Sequence, residues 1–191
     1  MSGRPAVFLD RDGTVTEPRH YPSRPDDLVL EAGVGPSLRR LQQQGAALVV
    51  VTNQSGVARG LFTEAQLLLM HERLRDLLAD HGVTLDGIYF CPHHRDGRVE
   101  ALAISCRCRK PEPGLLLRAA VDLGIHLQRS WMVGDFLSDV GAGHRAGCRT
   151  ALVGPLGAQD VPPSGPAPDL RTVSTAEALQ RISDHFDEEP S

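Results

Sequence analysis

Three carboxylates and a hydroxyl in this chain stand close behind short apolar runs. Val7-Phe8-Leu9 empties into Asp10-Arg11-Asp12-Gly13-Thr14, Val49-Val50-Val51 into Thr52-Asn53-Gln54-Ser55-Gly56, and Trp131-Met132-Val133 into Gly134-Asp135-Phe136-Leu137-Ser138-Asp139. Taken singly, each polar segment also reads as a solvated turn, because Asp, Asn, Ser and Gly are common turn residues. Their repetition behind strand-like runs points elsewhere. Open α/β sheets bind ligands just beyond the C-terminal ends of their strands. Asp10 and Asp12, at alternate positions of an extended chain, would project to one side. Carboxylates beside a lysine suit Mg²⁺, which takes one or two carboxylates, water and a phosphate oxygen. A carboxylate next to such an ion can attack phosphorus and form an aspartyl-phosphate. A second carboxyl two residues on can protonate the leaving oxygen and then deprotonate the attacking water. Thr52 and the amides around it offer donors to phosphate oxygens.

A second set of residues has different chemistry. Cys91-Pro92-His93-His94 is followed by a polar insertion and then Cys106-Arg107-Cys108-Arg109-Lys110-Pro111. Cys91, His93, Cys106 and Cys108 form two tight ligand pairs, which suit tetrahedral Zn²⁺ with three thiolates and one imidazole. His94 is the rival for the imidazole position. All four ligands would be protein atoms, so the site would be closed and structural. Arg109 and Lys110 follow the last thiolate, so the metal would fix two cations in place. Arg109 can grip a phosphate with two hydrogen bonds, and Lys110 can reach a carboxylate and a phosphoryl oxygen together. Cys148 stands apart and reads as a small core residue.

The elements that must position these groups alternate. Strands are expected at 6–9, 46–51, 88–90, 131–133 and 150–153, with a short edge strand at 170–173. Helices are expected at 36–44, from Thr63 to about His81, at 113–123, to about Ala146, and to about Phe186. Thr63-Glu64-Ala65-Gln66 and Ser174-Thr175-Ala176-Glu177 are capping boxes. Leu38, Leu41, Leu67, Met70, Leu74, Leu77, Leu78, Leu115, Leu116, Ala119 and Ala120 recur at helical spacing and read as core. The expected fold is α/β: a Rossmann-like, mostly parallel sheet with helices on both faces. Residues 15–33 carry Pro18, Pro22, Pro25 and Gly33 and read as a loop crossing the mouth of the site, where His20 and Tyr21 either face a substrate or pack the loop, packing being the favoured reading. Residues 154–169 read as a surface loop and 187–191 as a frayed end.

Composition sets the outer bounds. The chain has 191 residues, 41% of them hydrophobic and 23% charged, with a net charge of −4 and 4% aromatics. That favours one domain over 1–191 with a substantial core, and argues against a nucleic-acid surface. No apolar run reaches membrane-spanning length, and the first residues lack a signal peptide's apolar stretch. A cytoplasmic, monomeric protein is expected, and three crowded cysteines in a reducing compartment favour metal over disulfides.

The order Asp-x-Asp-Gly-Thr, strand-end Thr52, Lys110 and Gly-Asp-x-x-x-Asp resembles the haloacid dehalogenase (HAD) superfamily of phosphohydrolases. The stretches Val51–Gly60 and Phe62–Gln66 and the paired Cys/His segments are similar to those of the D-glycero-D-manno-heptose 1,7-bisphosphate 7-phosphatases. Histidinol-phosphate phosphatases share the zinc loop, spanning 91–108, and are the alternative. A catalytically silent, zinc-stabilised binding protein is the alternative of another class. The resemblance covers 6–153. It implies a HAD-like fold without a large cap domain. Asp10 would be nucleophile and Mg²⁺ ligand, Asp12 the general acid/base and a ligand through its carbonyl, and Asp135 the third ligand, supported by Asp139. Thr52 and Lys110 would stabilise the transferring phosphoryl group, while Asn53, Gln54, Ser55, Arg59 and Arg109 would recognise the sugar phosphate. The zinc loop would be a small lid. Phe136 departs from the polar or basic residue often found there, which bears on contact with a second phosphate.

Overall fold

The computed structural model describes residues 3–155 and 165–188. Six parallel strands form one sheet: β1 (Ala6–Leu9), β2 (Ala47–Asn53), β3 (Gly87–Cys91), β4 (Trp131–Gly134), β5 (Arg149–Val153) and β6 (Leu170–Thr172). Their order is β3-β2-β1-β4-β5-β6. The strand that carries Asp10 is therefore central. Leu9 pairs with Val50 on one side and Val133 on the other, and the Asp10 N–H continues the ladder to the Val133 carbonyl at 3.0 Å.

Alternate strand residues feed two apolar layers, as the pleat requires. Val7, Leu9, Leu48 and Val50 face α1 (Val34–Gln43), α3 (Glu64–Ala79) and α6 (Thr175–Glu188). Ala6, Phe8, Val49 and Val51 face α4 (Gly114–Leu123) and α5 (Leu137–Ala146). Each large aliphatic side chain buried this way contributes about 1.5–3 kcal/mol. Leu77 and Ala120 are only half-buried at the margins of these layers.

The boundaries differ from expectation for physical reasons. Helix α1 begins at Val34, ahead of Pro36, because a proline in the first turn forfeits no intrahelical N–H bond. Strand β2 runs through Thr52 and Asn53, because β3 still pairs with both of them. A short helix, α2 (Ser55–Ala58), follows at once. Strand β3 includes Cys91, which pairs with Asn53. The Thr63 cap is made as expected: its hydroxyl accepts from the Gln66 N–H at 3.2 Å while Gln66 accepts from the Thr63 N–H at 2.8 Å. Residues 16–31 fold into a hairpin-like loop, with Glu17 N–H to Val29 and Glu31 N–H to Val15. Tyr21 packs on the core, whereas His20 is exposed and rests edge-on against it. Most of the loop expected over 154–169, and the terminal residues 189–191, lie outside the described residues.

Candidate active site

The C-terminal ends of β1, β2 and β4 meet around one buried ammonium. Lys110 Nζ donates to Asp10 Oδ1 and to the Val51 carbonyl, both at 2.8 Å, and pairs with Asp139 Oδ1 at 2.6 Å. Burial alone would push the ammonium down, but the Asp10 and Asp139 carboxylates outweigh it and hold the lysine above its ordinary range. The carboxylate oxygens of Asp10, Asp135 and Asp139 lie within 4.8 Å of one another. Burial, then the neighbouring Asp10 and Asp139 charges, pushes the Asp135 carboxyl up to about 7. Burial also raises Asp139, against the pull of Lys110. Three carboxylates around one lysine leave surplus negative charge, the setting a divalent cation relieves.

Two glycines make this crowding possible. A Cβ on Gly13, whose φ is +81°, would lie 2.3 Å from the Asp135 carboxylate. One on Gly134 would lie 2.2 Å from that of Asp139, which folds back over the strand end to accept the Phe136 N–H at 3.0 Å. Above the cluster is a 240 Å³ pocket lined by Asp10, Asp12, Thr52, Asn53, Arg109, Lys110, Phe136, Ser138 and Asp139.

Asp12 borders the pocket, but its carboxylate is not part of the three-carboxylate cluster. It receives the Arg11 guanidinium through Nε at 3.0 Å and Nη2 at 2.9 Å, and the Gln54 amide at 3.0 Å. Arg11 is fully buried. Nothing in the sequence flagged this arginine, since an Arg between two aspartates reads as exposed. His71 was missed likewise; it lies buried on α3, where desolvation pushes it down to about 3.

The residues expected to touch substrate divide. The Gln54 amide is buried and also donates to the Thr52 hydroxyl at 2.9 Å. Asn53 clamps the Lys110 backbone, donating to its carbonyl at 3.1 Å and accepting its N–H at 3.0 Å. These two amides hold other site residues in place. Ser55 is buried at the head of α2. Arg109 lines the pocket and reaches the His93 carbonyl at 3.4 Å. Arg59 lies farther out, beside His94 at 3.2 Å.

The sulfur cluster sits at the end of β3. Cys91, His93, Cys106 and Cys108 present their ligand atoms within 4.8 Å of one another. The thiols are spaced 3.2–3.5 Å apart, and His93 Nδ1 is 3.3 Å from Cys108 Sγ. Burial and the Cys108 hydrogen bond push Cys91 up; in Cys106 bonds from Cys108 and Cys91 overcome burial and lower it. His94 points away, toward Arg59 and the Asp96 N–H. Cys148 is buried, and its thiol is pushed up by desolvation.

A HAD-hydrolase-like family model matches residues 107–173. The D-glycero-beta-D-manno-heptose-1,7-bisphosphate 7-phosphatase of Escherichia coli K12 is 46% identical over 178 residues, 93% of each chain. The chain belongs to the D-glycero-beta-D-manno-heptose-1,7-bisphosphate 7-phosphatase family. The Yersinia pestis member is 50% identical over 149 residues, 78% of this chain and 79% of that one. The structure of the D,D-heptose 1,7-bisphosphate phosphatase of B. bronchiseptica, in complex with magnesium and phosphate, matches with a TM-score of 0.81 and 31% identity. It covers 95% of this chain and 99% of that chain. A HAD-like phosphatase structure from Mesorhizobium loti matches with a TM-score of 0.85 and 38% identity, covering 97% and 87%. The fold of this heptose bisphosphate phosphatase family member is thus HAD-like, and the oxygen and sulfur clusters are each competent to hold a metal.

Proposed function

We propose that the chain hydrolyses the 7-phosphate of D-glycero-D-manno-heptose 1,7-bisphosphate, with the β anomer favoured by the names of its relatives. The observation that carries this reading is the Lys110 ammonium, shared between Asp10 and Asp139 beneath a pocket that Thr52 and Arg109 also line. Asp10 is the nucleophile. Its oxygen attacks phosphorus, the bond from phosphorus to the sugar C7 oxygen breaks, and Asp12 gives that oxygen its proton. Water then attacks the aspartyl-phosphate, Asp12 takes the water's proton, and phosphate leaves with Asp10 restored. Lys110 and Thr52 stabilise charge on the transferring group, where positioned donors do most of the work. Arg109 holds the sugar phosphate over the cluster.

Asp10, Asp135 and Asp139 have the hard oxygen donors that suit Mg²⁺, with the Asp12 carbonyl as a further ligand; the ion would neutralise phosphoryl charge. The three thiols and His93 suit a structural Zn²⁺. The reading includes a monomer acting in the cytoplasm; among the described residues no helix is long and apolar enough to cross a membrane.

The test is phosphate release with Mg²⁺ from both heptose 1,7-bisphosphate anomers and from histidinol phosphate. The bisphosphate should be strongly preferred, and Asp10→Asn should lower turnover by about 10³-fold or more with the fold intact. Preference for histidinol phosphate would overturn the substrate; near-normal turnover by Asp10→Asn would overturn the mechanism.

A further inference from the structure

Between Asp10 and Asp12 the sequence places an arginine, and the fold takes its side chain entirely out of water. The Arg11 side chain is 0% exposed, whereas that of Asp12, with which it pairs, is 24% exposed. A buried guanidinium without a counter-ion is strongly unfavourable, so it holds hard to the anion it meets. Among the described residues Asp12 is its ion-pair partner. Arg11 Nε donates to Asp12 Oδ1 at 3.0 Å and Nη2 to Oδ2 at 2.9 Å. Nη1 is buried with no hydrogen-bond partner, so the guanidinium's hydrogen bonds among the described residues all go to Asp12.

The backbone around the pair is fixed as well. The Arg11 carbonyl accepts the Val15 N–H at 3.0 Å, the Thr16 N–H at 2.9 Å and the Thr16 hydroxyl at 3.1 Å, and the Gly13 N–H donates to the Thr16 carbonyl at 2.8 Å. The Gln54 amide adds a third bond to Asp12, at Oδ2, 3.0 Å away, and ties it to the Thr52 hydroxyl at 2.9 Å. An ionised carboxylate has about four acceptor sites. Here two are filled on Oδ2 and one on Oδ1, so the open site is on Oδ1. A proton seated there leaves each of the three donors with its acceptor. The carboxyl can therefore gain and lose a proton without turning.

We infer that Arg11 is a positioning residue for the reaction: it aims Asp12, so that Oδ1 gives a proton to the leaving sugar oxygen and takes one from the attacking water in the same orientation. This rests on the aspartyl-phosphate reading above and deepens it. Arg11 touches no reacting atom; it acts through Asp12.

The test separates proton transfer from phosphoryl transfer. Wild type, Arg11→Met and Arg11→Lys are each given heptose 1,7-bisphosphate and 2,4-dinitrophenyl phosphate with Mg²⁺, and folding is checked by thermal unfolding. A sugar alcohol needs a proton to leave; dinitrophenolate, a weak base, does not. On the bisphosphate, Arg11→Met should lose roughly 10²- to 10³-fold in kcat, the scale of general acid–base catalysis, with KM little changed. Arg11→Lys, which keeps the charge but not the fork, should lose less. On the aryl phosphate, Arg11→Met should release its first equivalent of phenolate as fast as the wild type. It should then stall, because the phosphorylated chain waits for water to be deprotonated. A stoichiometric burst and a phosphoryl gain in intact mass would record this. An equal slowing of that first equivalent overturns the inference, since Arg11 would then only keep the shape of the site. Wild-type kcat on the bisphosphate in both variants overturns it too. So does failure of both variants to fold, which would make Arg11 a part of the core alone. If the wild type turns over the aryl phosphate but not the bisphosphate, the sugar reading falls and the burst still decides Arg11. If it turns over neither, both fall.

Discussion

The Asp10–Asp135–Asp139 cluster and the Cys91–His93–Cys106–Cys108 cluster meet at Lys110, two residues beyond the last thiol, yet they differ in nearly everything a bound ion would encounter. The first has hard oxygens, a lysine inside it and a pocket above it. Burial, with the charge of neighbouring carboxylates, raises Asp135 and Asp139, the setting a divalent cation relieves. The second supplies four soft donors, enough to close a tetrahedron with no position left for a reactant. On the proposed reading the contrast separates work: one cluster would exchange ligands, and the other would keep a loop folded so that Arg109 and Lys110 stay where they are.

The largest effect should come from the residue the two regions share. Lys110→Met leaves Asp10 and Asp139 facing each other unpaired, and should cost about 3–5 kcal/mol of stability. It should also lower turnover by roughly 10³-fold, as loss of a positioned charge on a transferring phosphoryl group does. Thermal unfolding and phosphate release check both; turnover within tenfold of wild type would break the view that Lys110 belongs to the reactive cluster. Next comes Cys108→Ser. It should abolish metal retention by the sulfur cluster and lower activity by about 10–100-fold through the loop. Elemental analysis of protein prepared without chelators should find one zinc per chain in the wild type; full activity without it would erase the proposed division of labour. The smallest is Asn53→Ala, which removes both bonds to the Lys110 backbone and should cost roughly 1–3 kcal/mol. Zinc content should be unchanged. If zinc is lost too, the clusters are one cooperative unit and the comparison between them fails.

The strand ends were legible because a parallel sheet buried on both faces writes its strands as unbroken apolar runs, and whatever follows stands out. Asp10, Thr52 and Asp135 stood out in this way, and the sulfur ligands through spacing alone. Arg11 and Gly134 were not legible. Arg11 matters because its side chain turns back on Asp12 inside the fold, and Gly134 because a carboxylate five residues on needs the space of its missing Cβ. Neither relation leaves a periodic trace. Asn53 and Gln54 were visible as polar residues after a strand, but whether such amides face a ligand or brace a neighbour depends on what the distant loop brings to them. Here it brings the Lys110 backbone and the Asp12 carboxylate.

The insertion between β3 and α4 is pinned to its neighbour in more than one place. The Ala58 carbonyl takes two of its N–H groups, Ala58 N–H reaches back to Pro92, and Asn53 grips its far end at Lys110. A segment fastened along its length to the same strand and helix has no hinge. It is an awning rather than a door. On the proposed reading, an insertion fastened in this way would keep Arg109 and Lys110 in one place from one turnover to the next.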